Sequence, residues 1–256
     1  MSRSGNHALA NWILQQARGR TCFLNCAEPR TNPFLSARPL DDDGRVALAS
    51  YQPFRLSDEQ QGKLSGKDLL LFTHEDCFLG MFSNGEPFES RHDEWVGASR
   101  RRVDLLLLRD PFNLFASRIS GSLRNGASVT AFRIWKQHAR EFLGKRRHLR
   151  GDRVLVNYNR WVQDPAYRRN VAEALDLEFS DAGRLEVPAV GAGSSFDGCR
   201  FDGNAAAMPV LERWKWLQQR QDYLCNFDPD VVDLAERIFG DVCDPSFYHL
   251  LDPARN

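Results

Sequence analysis

VDLLLLRDPFNLFASRISG, residues 103–121, decides the fold class. Residues 103–109 form an almost unbroken apolar run, too short for a buried helix and of the length and composition of a strand covered on both faces. Pro111 suits the first turn of a helix, and Asp110 before it is a plausible cap. The same grammar recurs outward. TCFLNCA (21–27), DLLLFT (68–73) and DRVLVNY (152–158) read as further strands. Helical patterns are predicted after residue 56, at 128–145, from Pro165 to about 176, and at 208–220 and 229–239. Long loops are expected up to residue 56, at 77–97 and over 180–207. Continuous apolar strands separated by helices imply an α/β fold, a three-layer arrangement with a parallel sheet between helices. No repeat or linker divides residues 1–256, so one domain is expected.

Composition narrows the function classes. The chain has 256 residues, 42% hydrophobic and 27% charged, enough for a substantial core. Lys+Arg and Asp+Glu both total 34, so no global field favours nucleic acid or an anionic membrane, and an anion site must be built locally. The basic runs at 100–102 and 145–150 lack interleaved aromatics and read as solvated surface. Six scattered cysteines without CxxC or Cys/His spacing imply reduced thiols, no metal and a cytoplasmic location. No apolar run approaches the roughly 20 residues of a membrane span, and no signal peptide is evident.

Ligands of open parallel sheets collect beyond the C-terminal ends of the strands. Those positions hold Glu28, then Thr73-His74-Glu75-Asp76, then Arg109-Asp110, then Tyr158-Asn159-Arg160. At the other candidate site, SRSGNHALANWI (2–13), a glycine turn runs straight into a helix, whose free amides and dipole suit an anion, with Arg3 beside them. Each residue also has an ordinary explanation. Ser4 caps a helix; Ser117 is a small packing residue; Arg109 pairs with Asp110 or another carboxylate; Tyr158 is a rim aromatic; His74 is a hydrogen-bonded ring; Glu28 pairs with Arg30 or Arg38. LERWKWLQQR (211–220) places Trp214 with Leu217, and Trp216 with Arg220, at helical spacings, which favours core packing.

Three motifs resemble the sulfotransferase family in the same order, over residues 2–165. The Arg-Ser-Gly turn and helix resemble its 5′-phosphosulfate loop, usually Pro-Lys/Arg-Ser-Gly-Thr-Thr. The strand-Arg-Asp-Pro…Ser segment resembles its 3′-phosphate motif, with the same interval from Arg109 to Ser117. VLVNYNRWVQDP resembles its later strand and Tyr-Glu-Asp pattern. The resemblance implies a P-loop-like nucleotide-binding fold and the cofactor 3′-phosphoadenosine 5′-phosphosulfate (PAPS), used without a metal. It puts Arg3, Ser4, Gly5, Asn6 and His7 around the 5′-phosphosulfate, Arg109 and Ser117 on the 3′-phosphate and Tyr158 near the adenine. Ser194, Ser195 and Arg200 then belong to a loop over the 3′-phosphate.

The implied reaction moves a sulfuryl group to a hydroxyl or amine of a carbohydrate or other small natural product. Arg3 would stabilise the leaving phosphate, and His74 would be the base, with Glu28 its competitor and Glu75 behind both. The chain also departs from the pattern. Asn6-His7 stand for Thr-Thr, Phe72 for a common lysine, and the strand that precedes the loop in the family is expected to be missing or truncated. Two other classes remain: a phosphate-loop kinase or NTPase using Asp110 for magnesium, which lacks Gly-x-x-x-x-Gly-Lys-Ser/Thr, and a non-catalytic nucleotide-binding protein.

Overall fold

The computed structural model describes residues 1–82, 87–120, 127–149, 151–188, 193–194 and 196–251. Along the chain come α1 (Asn6–Gln16), β1 (Thr21–Leu24), α2 (Pro33–Ser36), β2 (Ala47–Ala49), α3 (Leu56–Gln60) and β3 (Leu69–Phe72). These are followed by α4 (Pro87–Val96), β4 (Val103–Leu108), α5 (Pro111–Ser120), α6 (Val129–Phe142), β5 (Asp152–Asn157), α7 (Tyr158–Gln163) and α8 (Pro165–Ala174). The C-terminal part adds α9 (Gln221–Leu224), α10 (Pro229–Phe239) and α11 (Pro245–Leu251). Local chemistry sets several starts. Asp110 accepts from the Asn113 amide at 2.8 Å ahead of α5, and Ser128 caps α6. Asp164 and Asp228 cap α8 and α10, each with a proline in the first turn.

The α/β class holds, and β1 pairs in parallel with β3, β4 with β5. Among the described residues the strands lie in two small sheets, ordered β2-β1-β3 and β4-β5, rather than in the one continuous sheet expected. β3 and β4 nevertheless contribute to one apolar cluster: Leu69 and Leu71 of the former, and Val103, Leu105 and Leu107 of the latter, pack against the buried group that includes Leu9, Trp12 and Ile13 of α1. The loop expected up to residue 56 contains β2, antiparallel to β1 with Cys22 opposite Ala49. Three residues of Ala-Leu-Ala carry no alternating pattern to reveal it.

Around 208–220 the expected helix is replaced by a 3-10 turn, Arg213–Trp216. The amides of Arg213 and Trp214 donate instead to Asn113 Oδ1, at 2.7 and 3.3 Å, which ties this segment to α5. Trp214 and Leu217 are buried as expected, whereas Trp216 is 71% exposed. The loop expected at 77–97 contains α4. The largest core gathers Phe112, Phe115, Trp135, Trp214, Tyr223 and Phe247 from α5, α6 and the C-terminal segments. Among the described residues the cysteines are unpaired, no His/Cys/Asp/Glu group has metal-holding geometry, and no helix is long and apolar enough to cross a membrane.

Candidate functional site

The turn before α1 is shaped by two left-handed residues, Arg3 at φ 65° and Gly5 at φ 91°. Gly5 has no substitute, because a Cβ there would stand 2.1 Å from Cε2 of Tyr158. Leu9 N opens the helical ladder on Gly5 O at 3.0 Å. The amides of Gly5, Asn6, His7 and Ala8 meet no acceptor among the described residues, as expected of a helix start. Ser4 is buried and its Oγ has no partner among the described residues. No carboxylate among the described residues pairs with Arg3. The unpaired amides and the helix dipole both favour an anion at this turn.

Behind this turn lies Arg109, 2% exposed at the end of β4. Its Nη1 donates to Arg3 O at 3.1 Å and to Ser117 Oγ at 3.2 Å, and Nη2 donates to Val210 O. Ser117, two turns into α5, also accepts from Nη1 of Arg213 at 2.9 Å. Arg213 Nη2 reaches Ser194 Oγ at 2.7 Å and Asp197 Oδ2 at 3.6 Å. Burial, reinforced by the neighbouring Arg109 charge, pushes the Arg213 guanidinium down to about 10. Nε of both arginines is buried, without an acceptor among the described residues. Two like charges therefore converge on one hydroxyl, with the Asp197 carboxylate only at the margin.

Asp110 does not offset them by a direct ion pair. Its buried carboxylate receives the amide and side-chain Nδ2 of Asn113, and burial pushes its pKa up against the influence of Arg109. Tyr158 lies behind the turn: its ring packs on Trp161 at 5.9 Å between centroids, with the Arg109 guanidinium 5.1 Å from it.

The ends of β1 and β3 form the opposite wall. Ala27 N donates to Thr73 O at 2.8 Å and Cys26 N to Thr73 Oγ1 at 2.9 Å, so the two loops run together. Nδ1 of His74 is 2.7 Å from Ala27 O, and its ring sits edge-on to Phe72 and tilted against Phe82. Burial lowers the His74 pKa, with the hydrogen bond to Ala27 opposing, so the ring is neutral near pH 7. With Nδ1–H given to Ala27 O, Nε2 carries a bare lone pair. Glu28 follows directly, exposed, with no partner for its carboxylate among the described residues.

Glu75 accepts from Ser2 Oγ at 2.7 Å and from Asn6 Nδ2. Asp76 accepts from Ser2 N and from Arg118 at 2.8 Å; burial works to raise its carboxyl, and Arg118, the terminal ammonium and Ser2 together hold it low. Nε2 of His7 is 3.0 Å from Asn25 Oδ1. The side chains of Asn6 and His7 thus brace the turn against the opposite wall.

The structure brings Arg3, Ser4, Gly5, Asn6, His7, Arg109, Ser117 and Tyr158 into one connected cluster, with His74 and Glu28 side by side on the β1–β3 wall. Arg200 is not in it: it is exposed, its guanidinium 5.5 Å from the Phe201 ring. Ser195 lies outside the described residues. Sequence reasoning missed Arg213. Its only signal was an arginine directly preceding a core tryptophan, just beyond a Gly/Ser-rich loop. Compared with models of known protein families, with curated proteins and with solved structures, the chain matches none.

Proposed function

We propose that the protein binds PAPS and transfers its sulfuryl group to a hydroxyl or amine of a carbohydrate or other small natural product, on a P-loop-like nucleotide-binding scaffold. One observation carries this reading: Arg109 and Arg213, both buried, share Ser117 Oγ immediately behind a turn whose amides have no acceptor. Buried like charges are costly, and a phosphate group would offset that cost while accepting from both guanidiniums. Ser4 Oγ and the two Nε atoms, buried and unpartnered, add donors but no competing anion.

In this reading Ser4, Gly5 and the first amides of α1 hold the 5′-phosphosulfate, and Arg109, Ser117, Arg213 and Ser194 hold the 3′-phosphate. The bound nucleotide supplies a sulfuryl group activated by a phosphate leaving group. Arg3, without a carboxylate partner among the described residues, stabilises the charge that builds on the leaving phosphate. Neutral His74 takes the acceptor proton on Nε2 while Ala27 O holds its Nδ1–H. Asn6 and His7 contribute their backbone amides, since their side chains are engaged with Glu75 and Asn25. In this reading the turn does without two threonine hydroxyls. A magnesium role for Asp110 is disfavoured, because Asn113 occupies both carboxylate oxygens.

The test is calorimetric titration with 3′,5′-adenosine bisphosphate in the absence of magnesium, followed by a sulfate-transfer screen with PAPS. Bisphosphate binding that Arg109→Ala abolishes, with turnover on at least one acceptor, is expected. Preference for magnesium-ATP overturns the reading. Bisphosphate binding with no turnover across a broad panel shifts it to a non-catalytic nucleotide-binding protein.

A further inference from the structure

A second cationic surface lies outside the site described above. A cleft of about 560 Å³ opens between α6, Phe78 and the turn after α6, lined also by Arg133, Lys136, Gln137, Arg140, Arg146 and His148. No carboxylate lines it among the described residues. Lys136 and Arg140 are balanced at one end by Asp228 and Asp230, at 2.8 Å each. Arg133 and Arg146 are exposed and have no carboxylate partner among the described residues.

The cleft is held in shape from beneath. Fully buried Glu141 accepts from the amides of His148 and Leu149, at 2.7 and 3.3 Å, and from Arg153 at 3.1 Å, fixing the turn that presents Arg146 and His148. Gln137 Oε1 accepts from Leu79 N at 2.7 Å, and its Nε2 lies 3.4 Å from His148 Nε2, so one side chain joins both walls. Residues 77–79 directly continue His74-Glu75-Asp76, and His138 Nε2 sits 3.1 Å from Cys77 O. The cleft therefore adjoins the wall that carries the candidate base.

We propose that this cleft binds an acidic oligosaccharide through its carboxylate or sulfate groups. That the sugar is the acceptor rests on the sulfotransferase reading; that the cleft holds it does not. Arg133 and Arg140 lie two helical turns apart, about 10 Å along α6, a span suited to acidic groups on alternate sugar units. Guanidiniums match carboxylate and sulfate by paired hydrogen bonds. A nucleic acid fits less well: of the two rings in the lining, Phe78 is already faced by Arg133 at 5.9 Å and His148 is engaged with Gln137.

The experiment titrates the full chain with a heparin-derived hexasaccharide, and in parallel with 3′,5′-adenosine bisphosphate. Expected are saturable hexasaccharide binding that weakens as salt rises, and at least tenfold weaker binding to the Arg133→Ser/Arg146→Ser double variant. Its bisphosphate affinity should be unchanged, and Arg18→Ser/Lys63→Ser, with the same loss of charge elsewhere on the surface, should bind the sugar like the parent. Removing sulfates alone or carboxylates alone from the sugar tells which group the cleft uses. Undiminished binding by the Arg133→Ser/Arg146→Ser variant, equal binding of a neutral hexasaccharide, or tighter binding of an oligonucleotide of equal charge overturns the proposal. Hexasaccharide binding lost in that variant, without bisphosphate binding by either protein, supports the cleft and removes the nucleotide reading.

Discussion

The β4–β5 half and the β1–β3 half of the molecule each end in polar residues, but they hold them differently. Beyond β4 and β5, Arg109, Asp110, Asn113, Ser117 and Arg213 are all 5% exposed or less and linked by direct hydrogen bonds. Beyond β1 and β3, His74 is half-buried while Glu28 and Asp76 are exposed. The ladders differ in the same sense, six residue pairs in β4–β5 against four in β1–β3. Fixed charge has most effect where water is excluded, so an anion-holding group belongs in the core. A group that exchanges a proton with an incoming acceptor needs a rim that the acceptor can reach.

The contrast can be broken at the residue on which the two halves meet. Gly5→Ala forces a Cβ into the Tyr158 ring at a left-handed φ, and should cost about 3 kcal/mol in urea denaturation and abolish the bisphosphate response. A denaturation midpoint equal to that of the parent would sink the role given to that turn. Arg213→Met separates binding from folding. Bisphosphate affinity should fall about 100-fold, while folding stability stays level or rises by about 1 kcal/mol, because a buried like-charge contact disappears. A stability loss with affinity retained would make Arg213 a structural partner of Asp197.

On the open half, His74→Asn should lower turnover about 100-fold and leave bisphosphate affinity intact. An unaffected rate would move the base to Glu28. Acid should act through His138 of α6, whose Nε2 lies 3.1 Å from Cys77 O beyond β3. Burial pushes His138 down to about 3, with the charge of the chain's N-terminus adding to it, from an ordinary value of 6.5. The folded state therefore refuses a proton that the unfolded chain takes, so stability begins to fall as pH drops below 6.5 and continues falling toward 3. From pH 7 to 5 the loss should be about 2 kcal/mol, and it should vanish in His138→Gln. A flat profile in the parent would contradict this. The smallest effect is expected at Glu28→Gln, less than about threefold on turnover, since the exposed carboxylate is strongly screened.

The strands that hold the site were legible because each is a local pattern. Residues 103–109 and 152–158 are apolar runs flanked by turn residues, and they became β4 and β5 with boundaries shifted by one residue. The Arg-Ser-Gly turn was legible too, because glycine before a helix has few other uses. Ala47–Ala49 was not, since three small residues form a strand only where β1 offers its edge. The segment around Arg213 misled because its spacing is helical, whereas the side chain of Asn113 captures the two amides and turns the chain.

By itself the sequence determined the α/β class, the apolar strands and the residue types available at their ends, all consequences of neighbours along the chain. Tertiary structure alone decided that the strands form two sheets, and that Arg213 reaches Ser117 across 96 positions. Hydrogen bonding and charge act through space, and no local pattern records which distant groups folding will bring within 3 Å of each other.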